Sequence, residues 1–224
     1  MSLYDDRRQA GRVLAGELSE YTGRDDVVVL ALPRGGVPVA YEVATRLRAP
    51  LDVMVVRKLG VPGREELAMG AIASGGVLFL NEELIDELGI PKNIVDAVVS
   101  SEAREVARRE RAYRSDRPPV DVTDQTIILI DDGLATGSTM KAAVASLRRR
   151  GPKRIVVAVP IAAPSTCDEL ASDVDELVCA VTPEPFYAVG VWYDDFSQTT
   201  DDEVRELLEA AAGGSGPTAH HGHV

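Results

Sequence analysis

The chain has 224 residues and 45% hydrophobic content, enough to bury a sizeable core as one elaborated domain in preference to two small ones. Its 24 Lys plus Arg against 36 Asp plus Glu leave a formal charge of −12, which repels nucleic-acid backbones and anionic lipid and counts against both as partners. His220, His221 and His223 are its only histidines and lie behind a GGSGP stretch, so no core histidine serves a Ser-His-Asp triad, a Cys-His pair or a His-ligated zinc.

In chain order, MSLYDDRRQA carries charge where a signal peptide needs an apolar run, and the longest apolar stretch, Val27–Leu32, is far short of a membrane span. A cytoplasmic protein is expected. Ala10, Val13, Leu14, Leu18 and Tyr21 fall at helical spacing up to Gly23. Val27–Leu32 then reads as a strand buried on both faces, followed by the loop Pro33-Arg34-Gly35-Gly36. Val39–Arg48 returns to helical spacing, and Leu51–Val56 is a second buried strand. The rhythm breaks over Arg57–Pro119. Leu67–Ala73 and Val77–Leu80, joined at Ser74-Gly75-Gly76, read as a hairpin, Asn81 as the cap of a short helix, and Ile94–Arg114 as a long charged helix with Glu105/Arg109 and Glu110/Arg114 at i,i+4. Its basic residues suit a solvated face better than an anion patch. Thr126–Ile130, Ile155–Val159 and Leu177–Val181 supply further strands, alternating with helices at Thr139–Arg149 and Ser165–Ser172, and a last helix runs from Asp201 to Ala212. This alternation argues an α/β fold, a central parallel sheet flanked by helices on both faces. Cys167 and Cys179 have no further Cys or His to complete a metal set and read as separate buried thiols without a redox role.

The segment ILIDDGLATGST, Ile128–Thr139, concentrates the chemistry: a buried strand, two carboxylates at its end, then small and hydroxyl residues leading into a helix. Ligands of open parallel sheets bind at the carboxyl ends of strands, and a helix N-terminus behind Gly and small residues presents N–H groups to a phosphate. Ala135, Thr136, Gly137, Ser138 and Thr139 thus suit a phosphomonoester, and Asp131 and Asp132 suit vicinal hydroxyls or nearby cationic charge. A phosphorylated sugar satisfies both. No GxxxxGK[ST] occurs, which excludes a P-loop nucleotide site.

This segment closely resembles the 5-phosphoribosyl-1-pyrophosphate (PRPP) motif of type I phosphoribosyltransferases. The resemblance implies that Asp131 and Asp132 take the ribose hydroxyls and that Ala135 to Thr139 cradle the 5-phosphate. It implies too that Pro33-Arg34-Gly35-Gly36 is the pyrophosphate loop, built in this family on a non-proline cis peptide, with the bond into Arg34 the candidate. VVRKLGVPG resembles the Arg-Lys start of the flexible loop in adenine-type enzymes, which makes Arg57 and Lys58 contacts for the leaving pyrophosphate. The implied catalytic set is Asp131, Asp132, Arg34 and Lys58; the PRPP-binding set adds Gly35, Arg57 and the phosphate loop. A divalent cation, Mg2+, is implied at Asp131 and Asp132, directly or through the sugar and diphosphate.

The implied function is phosphoribosyl transfer from PRPP to a small nitrogenous acceptor in nucleotide metabolism, with a non-catalytic PRPP-sensing or nucleotide-sensing regulator as the alternative. Where 6-oxopurine enzymes of this family carry a third acid, three places after Asp132, this chain has Ala135. The resemblance is nearest to a group of uncharacterised bacterial phosphoribosyltransferase-like proteins. It organises the chain as one domain over 1–212, with a flexible loop and insertion at 57–119, a C-terminal hood at 183–200 and a disordered tail at 213–224. Of 6 Tyr, 3 Phe and 1 Trp, half fall in the hood as Phe186, Tyr187, Trp192, Tyr193 and Phe196. Planar acceptors are held by stacking, so Trp192 or Tyr193 is the expected acceptor contact, with Asp194 and Asp195 beside it. The same residues also suit a satellite core or the contact of a homodimer.

Overall fold

A computed structural model describes residues 2–114 and 117–214 of the chain; the expected disordered tail lies, from residue 215 on, outside the described residues. Its centre is a parallel sheet of five strands in the order β2-β1-β6-β7-β8. These are β1 (Val27–Ala31), β2 (Leu51–Val53), β6 (Thr126–Ile130), β7 (Arg154–Ile161) and β8 (Glu176–Val181). The runs VVVLA of β1 and TIILI of β6 are buried at every residue, as strands covered on both faces require.

Strand alternation sorts these side chains into two cores. Val27, Val29, Ile128, Ile130 and Val156 pack beneath α1 (Arg7–Glu17), α2 (Gly36–Leu47) and α7 (Asp201–Gly214). Val28, Leu30, Ile127, Leu129 and Val157 pack beneath α5 (Ser138–Arg148) and α6 (Pro164–Ala171). Each such side chain contributes about 1.5–3 kcal/mol on burial, so the strands that end at the motif are among the best-anchored backbone in the molecule. Helix α1 starts one turn earlier than its apolar spacing indicates, because Asp6 caps it by accepting from the Gln9 N–H at 2.7 Å.

The stretch expected as one strand, Leu51–Val56, is divided. Met54 N–H still bonds to Ala31 in the core sheet, but Val55 exchanges bonds with Ser74, donating to its Oγ at 2.9 Å and accepting from its N–H at 2.8 Å. The chain thereby passes into a separate antiparallel sheet of β3 (Val56–Val61), β4 (Arg64–Ala73) and β5 (Val77–Leu80), in the order β3-β4-β5. The expected hairpin is β4–β5, extended by a third strand. Asn81 caps α3 (Glu82–Glu87), and α4 (Lys92–Arg114) carries both expected pairs, Glu105–Arg109 and Glu110–Arg114, each at 2.7 Å. Arg114, buried, also reaches back to Asp52 of β2 at 2.8 Å and ties the insertion to the core sheet.

A second sequence expectation is corrected. Cys167 of α6 and Cys179 of β8 are half-buried and paired as a disulfide, not separate thiols, because the crossover lays α6 directly onto β8. Among the described residues, no helix is long and apolar enough to cross a membrane.

Candidate functional site

β1 and β6 are registered side by side, Ala31 opposite Ile130, so the loops that leave their carboxyl ends meet. From β1 comes Pro33-Arg34-Gly35-Gly36, and the peptide bond into Arg34 is cis. From β6 come Asp131 and Asp132. The contact between the two loops is close enough to require glycine: a Cβ on Gly35 would overlap Asp132 Oδ2, and one on Gly36 would stand 2.7 Å from the Ile130 carbonyl. Arg34 faces the first turn of α7, its Nη1 3.6 Å from Asp201 Oδ1, a carboxylate that also accepts from the Tyr113 hydroxyl at 3.0 Å.

Past the acidic pair the chain makes a bridge at Leu134 with Ala162 and then turns into α5. Gly137 precedes the helix with φ 66°, the left-handed region, and a Cβ there would lie 2.7 Å from the Thr166 methyl. No side chain caps α5, so its first-turn N–H groups point out beside the exposed Ala135, Thr136, Ser138 and Thr139. Thr136 and Ser138 hydroxyls lie 3.1 Å apart at this mouth. Thr166, buried on α6, fixes the loop from behind by donating to the Ala135 carbonyl.

The two carboxylates are held differently. Asp131 Oδ1 accepts the Asp132 N–H at 2.9 Å, while Asp132 Oδ2 accepts Arg7 Nε at 2.8 Å. Burial pushes Asp131 well above the usual carboxylate range, and the charge of Asp132 adds to it. Burial pushes Asp132 up as well, opposed by the Arg7 guanidinium. Each carboxylate thus has one oxygen committed to the protein.

Arg57 and Lys58 are not loop residues; they sit in β3, paired with Ile72 and Ala71. Alternation sends them to opposite faces. Arg57 is committed to α4, its Nε 2.6 Å from Glu102 Oε2. Lys58 lines a cavity of about 480 Å³ between the inserted sheet and α5, with Ser138 at the start of α5 on the opposite wall. The structure brings Gly35 against Asp131 and Asp132 with residues 135–139 following them, turns the Arg34 side chain toward Asp201, sets Lys58 across a cavity from Ser138, and leaves Arg57 facing elsewhere.

The hood folds onto the N-terminus. Trp192 accepts the Leu3 and Tyr4 N–H groups through its carbonyl, and the Asp194 and Asp195 N–H groups donate to the Tyr4 and Asp5 carbonyls. Tyr193 is buried between Tyr4 and Phe196, with ring centroids 5.4 and 5.1 Å away, and its hydroxyl donates to the Asp132 carbonyl at 2.6 Å. Trp192 is half-buried against the same cluster, and its indole N–H is buried without a partner. Arg7, Thr166 and Asp201 are site residues that the sequence does not single out. Their partners lie far along the chain, and nothing local distinguishes them from surface residues.

With this geometry in place, comparison with known proteins is decisive about kinship. The family model described as the phosphoribosyl transferase domain matches residues 62–194. The chain belongs to this family. A Mycobacterium tuberculosis protein provisionally named a phosphoribosyl transferase is 47% identical over 94% of this chain and 47% of its own length. The chain therefore spans about half the length of the curated relatives it matches. The crystal structure of TT1426 from Thermus thermophilus is similar at 40% identity with a TM-score of 0.82, covering 93% of this chain and 98% of that one. The bifunctional protein PyrR of Chloroflexus aurantiacus is 31% identical over 57% of this chain and 66% of its own.

The family match takes in the inserted hairpin, the acidic motif and the hood as far as Asp194, and omits Arg7, the loop at Arg34 and Lys58. Among the described residues, no group of three or more His, Cys, Asp and Glu could hold a metal by itself. Magnesium keeps several waters and takes one or two carboxylates plus substrate phosphates, a requirement that Asp131 and Asp132 fit through their uncommitted oxygens.

Proposed function

We propose that the protein is a cytoplasmic phosphoribosyltransferase of nucleotide metabolism, which transfers the phosphoribosyl group of PRPP to a nitrogenous acceptor and releases pyrophosphate. The observation that carries this reading is the meeting of three elements at the ends of β1 and β6: an uncapped helix N-terminus, two adjacent carboxylates and a glycine loop packed against them.

In this reading the first-turn N–H groups of α5 with Thr136, Ser138 and Thr139 hold the 5-phosphate, and the free oxygens of Asp131 and Asp132 accept the two ribose hydroxyls, one each. Displacement at the anomeric carbon passes through an oxocarbenium-like state whose positive charge faces these carboxylates. Arg34 and the Pro33–Gly36 loop receive the diphosphate, and Lys58 crosses the cavity to stabilise it as it departs. Magnesium would be held by Asp131 and Asp132, directly or through the ribose hydroxyls, together with the diphosphate, whose charge it would neutralise. Trp192 covers the acceptor, while Tyr193, already packed between Tyr4 and Phe196, serves it by fixing the hood to Asp132. Ala135 removes the acid that would favour a 6-oxopurine.

A screen of nucleobases and amines for PRPP-dependent pyrophosphate release tests the reaction. One acceptor class should accelerate release, and Lys58→Ala should lower turnover at least tenfold more than it raises the PRPP dissociation constant, because its contact forms with the leaving anion. A second reading keeps the same site without turnover, as a non-catalytic PRPP-sensing or nucleotide-sensing regulator. Tight PRPP binding without release by any acceptor would select it.

A further inference from the structure

Arg7 makes contacts that neither capping nor helix packing explains. It stands in the first turn of α1, 11% exposed, with Nε 2.8 Å from Asp132 Oδ2, Nη1 2.7 Å from the Ser197 carbonyl and the guanidinium 3.9 Å from the Phe196 ring centroid. One end of the fork is on the PRPP motif, the other on the hood. The hood is itself stitched to residues 3–5 by backbone bonds and reaches Asp132 a second time through the Tyr193 hydroxyl. Asp132 is thus one residue at which motif and hood meet, beside Gly133, where an added Cβ would stand 2.5 Å from Val189 of the hood, and Arg7 is the side chain whose hydrogen bond joins the Asp132 carboxylate to it. A flat, permanently charged fork held on an aromatic face fixes direction as well as distance, which a lysine cannot do.

We propose that Arg7 is a positioning residue that couples the hood to the PRPP motif, holding Asp132 Oδ2 so that its other oxygen stays turned to the ligand, and transmitting occupancy at Asp132 to the hood around Ser197 and Trp192. The ligand named rests on the function proposed above; the coupling does not, since all its contacts are within the chain. The effect on chemistry is indirect: a hood seated by an occupied motif closes over the acceptor, and an unoccupied one is freer to admit it.

Hydrogen exchange over residues 193–199 and Trp192 emission, followed with and without PRPP and magnesium, test this in the wild type, Arg7→Ala, Arg7→Lys, Asp132→Asn and the Arg7→Ala/Asp132→Asn pair. If Arg7 and Asp132 act on the hood through their shared contact, Arg7→Ala and Asp132→Asn each speed hood exchange about tenfold, and the double variant exchanges no faster than either single one. PRPP should change Trp192 emission in the wild type and not in Arg7→Ala. Arg7→Lys, which keeps the charge and is the variant to use should Arg7→Ala fold poorly, should retain PRPP affinity within about threefold while hood exchange stays fast. Faster exchange in Arg7→Ala but not in Asp132→Asn would overturn the proposal, because Ser197 and Phe196 alone would then account for Arg7. A full PRPP response of Trp192 in Arg7→Ala would also overturn it and leave PRPP binding intact. A wild type that binds no PRPP, with Arg7→Ala and Asp132→Asn still overlapping, would remove the proposed function and support the tie.

Discussion

The two sheets carry their functional groups under opposite conditions. β1 and β6 are buried at every position and end in the loops of Arg34 and Asp131-Asp132, whereas β3, which carries Arg57 and Lys58, is only partly buried at four of its six positions. On the parallel sheet, packing that stabilises the fold also fixes where the carboxylates and glycines stand, so the half of the site proposed for PRPP comes preformed. On the inserted sheet, Lys58 depends on a ribbon whose place is set by α4 and α5 and by links such as Arg57–Glu102 and Arg114–Asp52. Affinity for PRPP should therefore belong to the parallel sheet and leaving-group stabilisation to the insertion, and changes in one should be separable from changes in the other.

The severest test of this division removes the link between the sheets. Asp52→Ala takes the buried carboxylate away from Arg114, which keeps Glu110 as a partner, and should cost about 1.5–3 kcal/mol in urea unfolding, as loss of hydrogen bonds to a charged group does; a cost under about 1 kcal/mol would mean that the insertion is held otherwise. Next is Gly35→Ala, whose Cβ collides with Asp132 Oδ2. It should weaken PRPP binding more than tenfold, about 1.4 kcal/mol, while Lys58→Ala leaves that affinity nearly unchanged. Equal losses in the two variants would erase the division. Arg57→Ala, breaking a partly exposed pair, should cost no more than about 1 kcal/mol of stability and little PRPP affinity, which calorimetry of the variant reads directly. The smallest effect is on the face of α4. Arg108, then Arg109, hold the Glu105 carboxyl down at about 2. A depressed folded-state carboxyl stabilises above its unfolded value, roughly 4.3, and loses that contribution as pH falls toward 2. Glu105→Gln should flatten this part of the acid unfolding profile and leave PRPP binding unaltered.

The same contrast sets what could be read from the sequence. β6 was legible residue for residue, since TIILI is continuous, β-branched and closed off by Asp-Asp, and the glycine loop after β1 was legible because its punctuation is local. The break between β2 and β3 was not. Leu51–Val56 is uniformly apolar apart from Asp52, and the bonds that divide it come from Ser74, which no local pattern links to Val55. Nor could VRKLGV declare itself a strand, with two cations and a glycine interrupting its alternation. In the site, Asp131 and Asp132 announce themselves by adjacency, while Arg7 meets Asp132 only through the fold, one more charge in an Asp-Asp-Arg-Arg run. The Cys167–Cys179 pairing was hidden likewise, because it follows from how α6 crosses onto β8.

Calorimetric titration of the wild type and Asp132→Ala with PRPP in the presence of magnesium addresses the central claim most directly. The wild type should bind at a single site and the variant more than 1 kcal/mol less tightly, as expected when charge-assisted hydrogen bonds to a ligand are lost. Equal affinity in the two proteins, or no PRPP binding by the wild type, would contradict it.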